Sequence, residues 1–103
     1  MKVTNMTSAR GNKIANQFII EEAHIVLPDD NYTGELFQSY DSNIAMIATG
    51  CGNTGNCHTV LIDSQYWDYS VTTGRYRNQF LGENKKETQS KIDSGEYRLV
   101  DLN

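Results

Sequence analysis

Ile44-Ala45-Met46-Ile47-Ala48 and Thr59-Val60-Leu61-Ile62-Asp63, joined by a glycine-rich link, decide the fold of this chain. The first run is short, wholly apolar and bounded by turn residues, which reads as a strand buried on at least one face. The second is rich in β-branched residues, which favour strands. Between them lies Thr49-Gly50-Cys51-Gly52-Asn53-Thr54-Gly55-Asn56-Cys57-His58, with three glycines and two asparagines. Such residues tolerate positive φ and suit a hairpin tip. The whole stretch therefore reads as an antiparallel hairpin.

The same pattern extends upstream. Gly34-Glu35-Leu36-Phe37-Gln38-Ser39-Tyr40 reads as a strand that enters the hairpin through the turn Asp41-Ser42-Asn43. Before it, Gln17-Phe18-Ile19-Ile20-Glu21-Glu22 reads as a first strand. Ala23 to Leu27 either extends it or forms a short strand of its own, and Pro28-Asp29-Asp30-Asn31 stops it. Residues 1–12 are polar and read as a mobile lead-in.

Downstream the chemistry changes. Tyr66-Trp67-Asp68-Tyr69 is an aromatic cluster in which Trp67 is assigned to the core. Ser70 is a good N-cap for a helix over Val71 to Leu81, which places Tyr76 and Phe80 on one face, with Gly82 at its stop. Asn84 with Glu87 forms a capping box for a second, very polar helix over Lys85 to Ser94, ended by Gly95. Glu96 to Leu102 then returns as a last strand. The expected fold is α+β: a small antiparallel sheet of four to five strands with two short helices in the C-terminal half, in one domain spanning residues 1–103.

Composition narrows the function. The chain has 103 residues and a net charge of -4, from 13 acidic and 9 basic residues. The basic residues are Lys2, Arg10 and Lys13 at one end and those from Arg75 onward at the other. Glu21, Glu22, Asp29, Asp30, Glu35, Asp41, Asp63 and Asp68 fall in the lysine- and arginine-free middle. That partition predicts a negative field suited to a basic protein surface, and it argues against direct nucleic-acid binding, which needs clustered cations. The alternative keeps a nucleic-acid role on the basic C-terminal helices, through Arg75, Arg77, Lys85, Lys86 and Lys91. There is no signal-peptide pattern and no apolar run of the roughly 18–20 residues of a membrane span, so a cytoplasmic protein is expected.

The hairpin tip carries the most chemistry. Cys51 and Cys57 flank it, His58 adjoins the second, and His24 is the other histidine of the chain. Two thiolates and one or two imidazoles form a tetrahedral zinc set, and a zinc staple suits a domain with a small core. Free thiols and a disulfide within the tip are the other states open to the pair. No serine-hydrolase elbow, Walker A loop, dinucleotide fingerprint or metalloprotease helix is present, so no enzymatic activity is expected.

Several segments together resemble a known kind of protein. They are Asn16-Gln17-Phe18-Ile19-Ile20, Phe37-Gln38-Ser39-Tyr40-Asp41-Ser42, Tyr66-Trp67-Asp68-Tyr69-Ser70 with Thr73 and Tyr76, Gln79-Phe80-Leu81-Gly82, and Lys91-Ile92-Asp93-Ser94-Gly95-Glu96-Tyr97. This set resembles small proteins carried by phages and mobile elements of Gram-positive bacteria. With the cysteine-bearing tip it is similar to a zinc-containing anti-CRISPR inhibitor of type II-A Cas9. The resemblance implies a protein-binding inhibitor that occludes a basic, nucleic-acid-holding surface of Cas9. Asp29, Asp30, Tyr32, Glu35 and Asp41 are then the expected partner-binding residues, and Cys51, Cys57, His58 and His24 the expected metal ligands.

Overall fold

The computed structural model describes residues 2–52 and 55–103. Asn53 and Thr54, at the expected hairpin tip, lie outside the described residues. Among those described, six strands form one sheet in the order β1-β2-β3-β4-β5-β6. They are β1 (Lys2–Thr7), β2 (Lys13–Val26), β3 (Asn31–Ser39), β4 (Ser42–Cys51), β5 (Thr59–Asp63) and β6 (Tyr97–Val100), with α1 (Val71–Leu81) and α2 (Lys85–Ser94) between the last two.

The fold is α+β, but the expected sheet of four to five antiparallel strands is corrected on two counts. The additional strand is β1, in the segment read as a mobile lead-in. Its residues are mostly exposed and only Met6 is buried. One buried side chain leaves no alternation to read, and pairing with β2 is what makes the segment a strand. The sheet is also mixed. The first five strands form an antiparallel meander, whereas β6 runs parallel to β5, pairing Val60 with Tyr97 and Ile62 with Leu99. The two helices supply the crossover that a parallel pair requires.

Both helices end where their capping residues dictate. Ser70 accepts a hydrogen bond from the Thr73 amide, and the Asn84–Glu87 pair closes a reciprocal capping box. Gly82 and Gly95 adopt left-handed φ of 72° and 84°, the conformation glycine takes without a Cβ clash.

The two-residue period of the strands divides the core between the sheet faces. Phe37, Ala45, Val60, Ile62 and Tyr97 pack with Tyr76 of α1, and Phe80, Leu81 and Ile92 join them from the helices. Phe37 meets Phe80 at 5.8 Å between ring centroids. Trp67 is half-buried against this cluster. On the other face Leu36, Met46, Ala48 and Leu61 pack with Ala23, Leu27, Tyr32, Cys51 and Leu102. The Leu102 amide donates to Asp63 Oδ1 at 2.8 Å, and Asn43 and Asn103 exchange hydrogen bonds, which fixes the C-terminal residues beside the sheet.

Bulges bend this sheet. β2 carries an extra residue between Ile20 and Ala23, where Glu22 has φ of 56°. β4 carries one opposite Thr33 and Gly34, and another opposite Phe37 and Gln38. At Gly34 the strands approach so closely that a Cβ would overlap the Ile47 carbonyl and lie 2.9 Å from Ala48 Cα. A glycine is required there because the bend brings backbone onto backbone.

Candidate functional site

The structure closes the hairpin tip with a disulfide between Cys51 and Cys57, whose Cα atoms are 5.6 Å apart. Both sulfurs are consumed by that bond, so the pair has no thiolate to offer a metal in this state. His58 is exposed beside Cys57. His24 and Cys51 line one shallow cavity with Asn31, Thr33 and Gly50, but strand period turns the His24 ring to the other face from both sulfurs. Ala23 and Ile25 pack in the same cluster as Cys51 and Cys57, so His24 between them points to the opposite face. It lies instead beside Thr33, with His24 Nδ1 3.5 Å from Thr33 Oγ1. Among the described residues no group of three or more His, Cys, Asp or Glu side chains is arranged to hold a metal ion. The donor set Cys51, Cys57, His58 and His24 therefore does not fit a tetrahedral zinc in this geometry.

The residues expected to bind a partner are not gathered on one surface. Tyr32 is buried in the core while its hydroxyl donates to Asp29 Oδ2 at 2.9 Å, and Arg98 from β6 contacts both groups. The hydrogen bond from Tyr32, joined by that from Arg98, holds the Asp29 carboxyl below the usual carboxylate range despite an opposing push from desolvation. Burial, then the bond to Asp29, pushes the Tyr32 phenol up. This trio links the β2–β3 turn to β6 and reads as a brace. Asp30 accepts from the Asn31 amide. Asp41 lies in the turn between β3 and β4, remote in the chain from that brace.

Glu35 is different. It lines a cleft of about 600 Å³ together with Lys2, Glu21, Glu22, Thr33, Gly34, Ile47 and Thr49. The bulge in β2 builds this site. Ile20 and Ala23 both pack toward the same core cluster although three positions separate them, so the strand changes phase between them. Glu21 and Glu22 occupy the phase change, and both are exposed. Pairing of Glu35 with Ile47 then sets its carboxylate on the same bent surface. Three carboxylates and one lysine thus share one concavity. The sequence did signal this: two adjacent glutamates interrupt an apolar strand, and the apolar phase on either side of them disagrees.

Three of the five cations named on the C-terminal helices, Arg77, Lys85 and Lys91, have other engagements. Arg77 is fully buried; its Nη1 donates to the Trp67 carbonyl at 2.6 Å and to Asp68 Oδ1 at 3.1 Å, and its guanidinium lies 4.9 Å from the Trp67 ring centroid. Lys85 pairs with the other oxygen of Asp68 at 2.6 Å. Burial raises the Asp68 pKa, but hydrogen bonds from Lys85 and Arg77 outweigh it and hold the carboxyl below its ordinary value. Lys91 pairs with Glu83, which also accepts from Thr88 and Tyr97. These contacts lock helices to sheet and neutralise much of the basic face. Among the described residues no helix is long and apolar enough to cross a membrane.

No curated protein and no solved structure shows significant similarity to the chain. Residues 1–96 match the model of DUF8033, a family of unknown function, and the chain belongs to that family.

Proposed function

We propose that this member of a family of unknown function is a non-enzymatic protein-binding domain that docks a basic surface of its partner on the cleft lined by Glu21, Glu22 and Glu35. The observation that carries the reading is the gathering of those carboxylates in one concavity, where Lys2 is the one cation among the described residues that line it. A concave site with one sign of charge focuses its field and steers an oppositely charged partner. The buried Arg77 and the ion pairs of Lys85 and Lys91 weigh against a nucleic-acid role for the C-terminal helices.

The partner class follows the resemblance of the sequence to phage-borne inhibitors. A type II-A Cas9 holds guide and target nucleic acid in a positively charged channel. An acidic domain seated there occludes the channel without chemistry. This setting is the cytoplasm of a bacterial host.

Titration of the purified chain against Cas9, with the triple variant Glu21→Lys, Glu22→Lys, Glu35→Lys as control, tests the proposal. The expected result is a complex that weakens steeply with salt and is lost in the triple variant. Equal binding by wild type and triple variant would remove the cleft from the argument. If Cas9 does not bind while the cleft still captures another basic protein, the inhibitor assignment falls and the docking role stands.

A further inference from the structure

The rim of the acidic cleft carries an unfinished strand edge. β1 pairs with β2 only as far as Lys2 opposite Glu21. Beyond that point Ala23 to Val26 of β2 pair with β3, and among the described residues nothing pairs on their outer side. The ladder fixes which groups face outward. Leu27 N donates to Asp30 O at 2.9 Å, closing the turn between β2 and β3. Hydrogen-bonded and non-bonded pairs alternate from there, so Ile25 and Ala23 bond toward β3, and the N–H and C=O groups of His24 and Val26 face outward. Both residues are exposed, Val26 at 69%.

We infer that this edge takes up an extended, lysine- or arginine-bearing segment of the partner as an added strand continuing the line of β1. The inference rests on the reading of the cleft as the docking site, and it names the form the partner takes there. Charge selects this edge over that of β1. The outer edge of β1 is flanked by Lys2, Arg10 and Lys13, which oppose a basic segment. The free part of β2 adjoins Glu21, Glu22 and Glu35 instead. Strand period supplies the specificity. Side chains at alternate positions of an added strand fall on one face, so cationic residues two apart reach the cleft while the backbone bonds to His24 and Val26. Neutral residues between them pass to the opposite face.

The test uses the whole chain and a fluorescent peptide of about eight residues with lysine and valine alternating, the length of an ordinary strand. Two derivatives are compared: one N-methylated at the backbone N–H groups that face β2, and one N-methylated in the opposite register. The expected result is an affinity loss of about tenfold or more for one register only, because removing two main-chain hydrogen bonds has that order of effect. Peptide binding should also slow amide hydrogen exchange at His24 and Val26. Glu35→Lys, checked for folding by circular dichroism, should weaken the unmodified peptide.

Equal affinity of both methylated peptides with loss in Glu35→Lys would overturn strand addition and leave the acidic docking site standing. Register-specific loss with no effect of Glu35→Lys would uphold strand addition and remove the charge reading. No binding of any peptide overturns the inference. So does concentration-dependent protection of His24 and Val26 without peptide, which would give the edge to a second copy of the chain.

Discussion

Replacing Glu83 by alanine should destabilise the domain by about 2 kcal/mol, through hydroxyls that lose their acceptor. The Glu83 side chain is 4% exposed and sits where α1, α2 and β6 converge. Its Oε1 accepts from Lys91 and from the Tyr97 hydroxyl, both at 2.8 Å, and its Oε2 from Thr88 at 2.5 Å. Without it the buried Tyr97 hydroxyl keeps only a long contact with Lys91, and stranding such a group costs about 1–3 kcal/mol. Thr88 retains the Asn84 carbonyl at 3.2 Å, so its share is small. Lys91 is partly exposed and returns to water. A fall of about 2 kcal/mol lowers the midpoint of thermal unfolding by roughly 10 °C in a chain of this size.

Glu83→Gln keeps an acceptor and should cost about half as much. Burial pushes the Glu83 carboxyl up, but hydrogen bonds from Lys91, Thr88 and Tyr97 prevail and hold its pKa below the ordinary value. A carboxyl depressed on folding stabilises above its unfolded pKa, and that contribution disappears as pH falls through the folded pKa. The gap between wild type and Glu83→Gln in urea unfolding should therefore be full at pH 7 and narrow toward pH 3. A loss under about 0.5 kcal/mol for Glu83→Ala, or a gap that ignores pH, would refute the account of this junction.

Other perturbations read other parts of the molecule. Gly34→Ala should destabilise by about 2 kcal/mol in chemical denaturation, since the added Cβ has no room against the Ile47 and Ala48 backbone. Gln17 is fully buried and neither atom of its amide has a partner among the described residues, so Gln17→Leu should leave stability unchanged or raise it by about 1 kcal/mol in the same assay. Reducing the Cys51–Cys57 bond opens a short loop, with a sequence separation of 6, and should lower stability by about 2 kcal/mol. Added zinc should not restore that loss; recovery with one equivalent, absent in Cys51→Ser, would reinstate the metal site.

The parts of this fold that local chemistry controls were legible in the sequence. Ser70, Gly82, Asn84, Glu87 and Gly95 set both helices because a cap is decided within a few residues. Thr59 to Asp63 was legible as a strand for the same reason, being β-branched and central to the sheet. β1 was not, because its pairing with β2 is a tertiary event written only in Met6. The separation of His24 from the cysteines depended on strand phase, which the β2 bulge resets, so proximity in a meander was a poor guide. The acidic cleft was half legible. The clustering of carboxylates in the middle of the chain was plain, but the selection of Glu21 and Glu22 over Asp29 and Asp41 depended on the same bulge.

The parallel seam between β5 and β6 has a consequence for the order in which the molecule assembles. Each strand from β1 to β5 meets its neighbour through a turn or loop, so the meander can zip from local contacts. Val60 must wait for Tyr97, with both helices made in between. On the ribosome, β5 emerges with one side paired to β4 and the other side bare, and Val60, Leu61 and Ile62 lie along it. Until β6 arrives, that row is the most adhesive element of the nascent chain, since an unpaired apolar strand templates association with other chains. The helices, formed in the interval, are positioned to shelter it. A chain ended before residue 97 should therefore aggregate more than the full chain, because β5 keeps its bare edge.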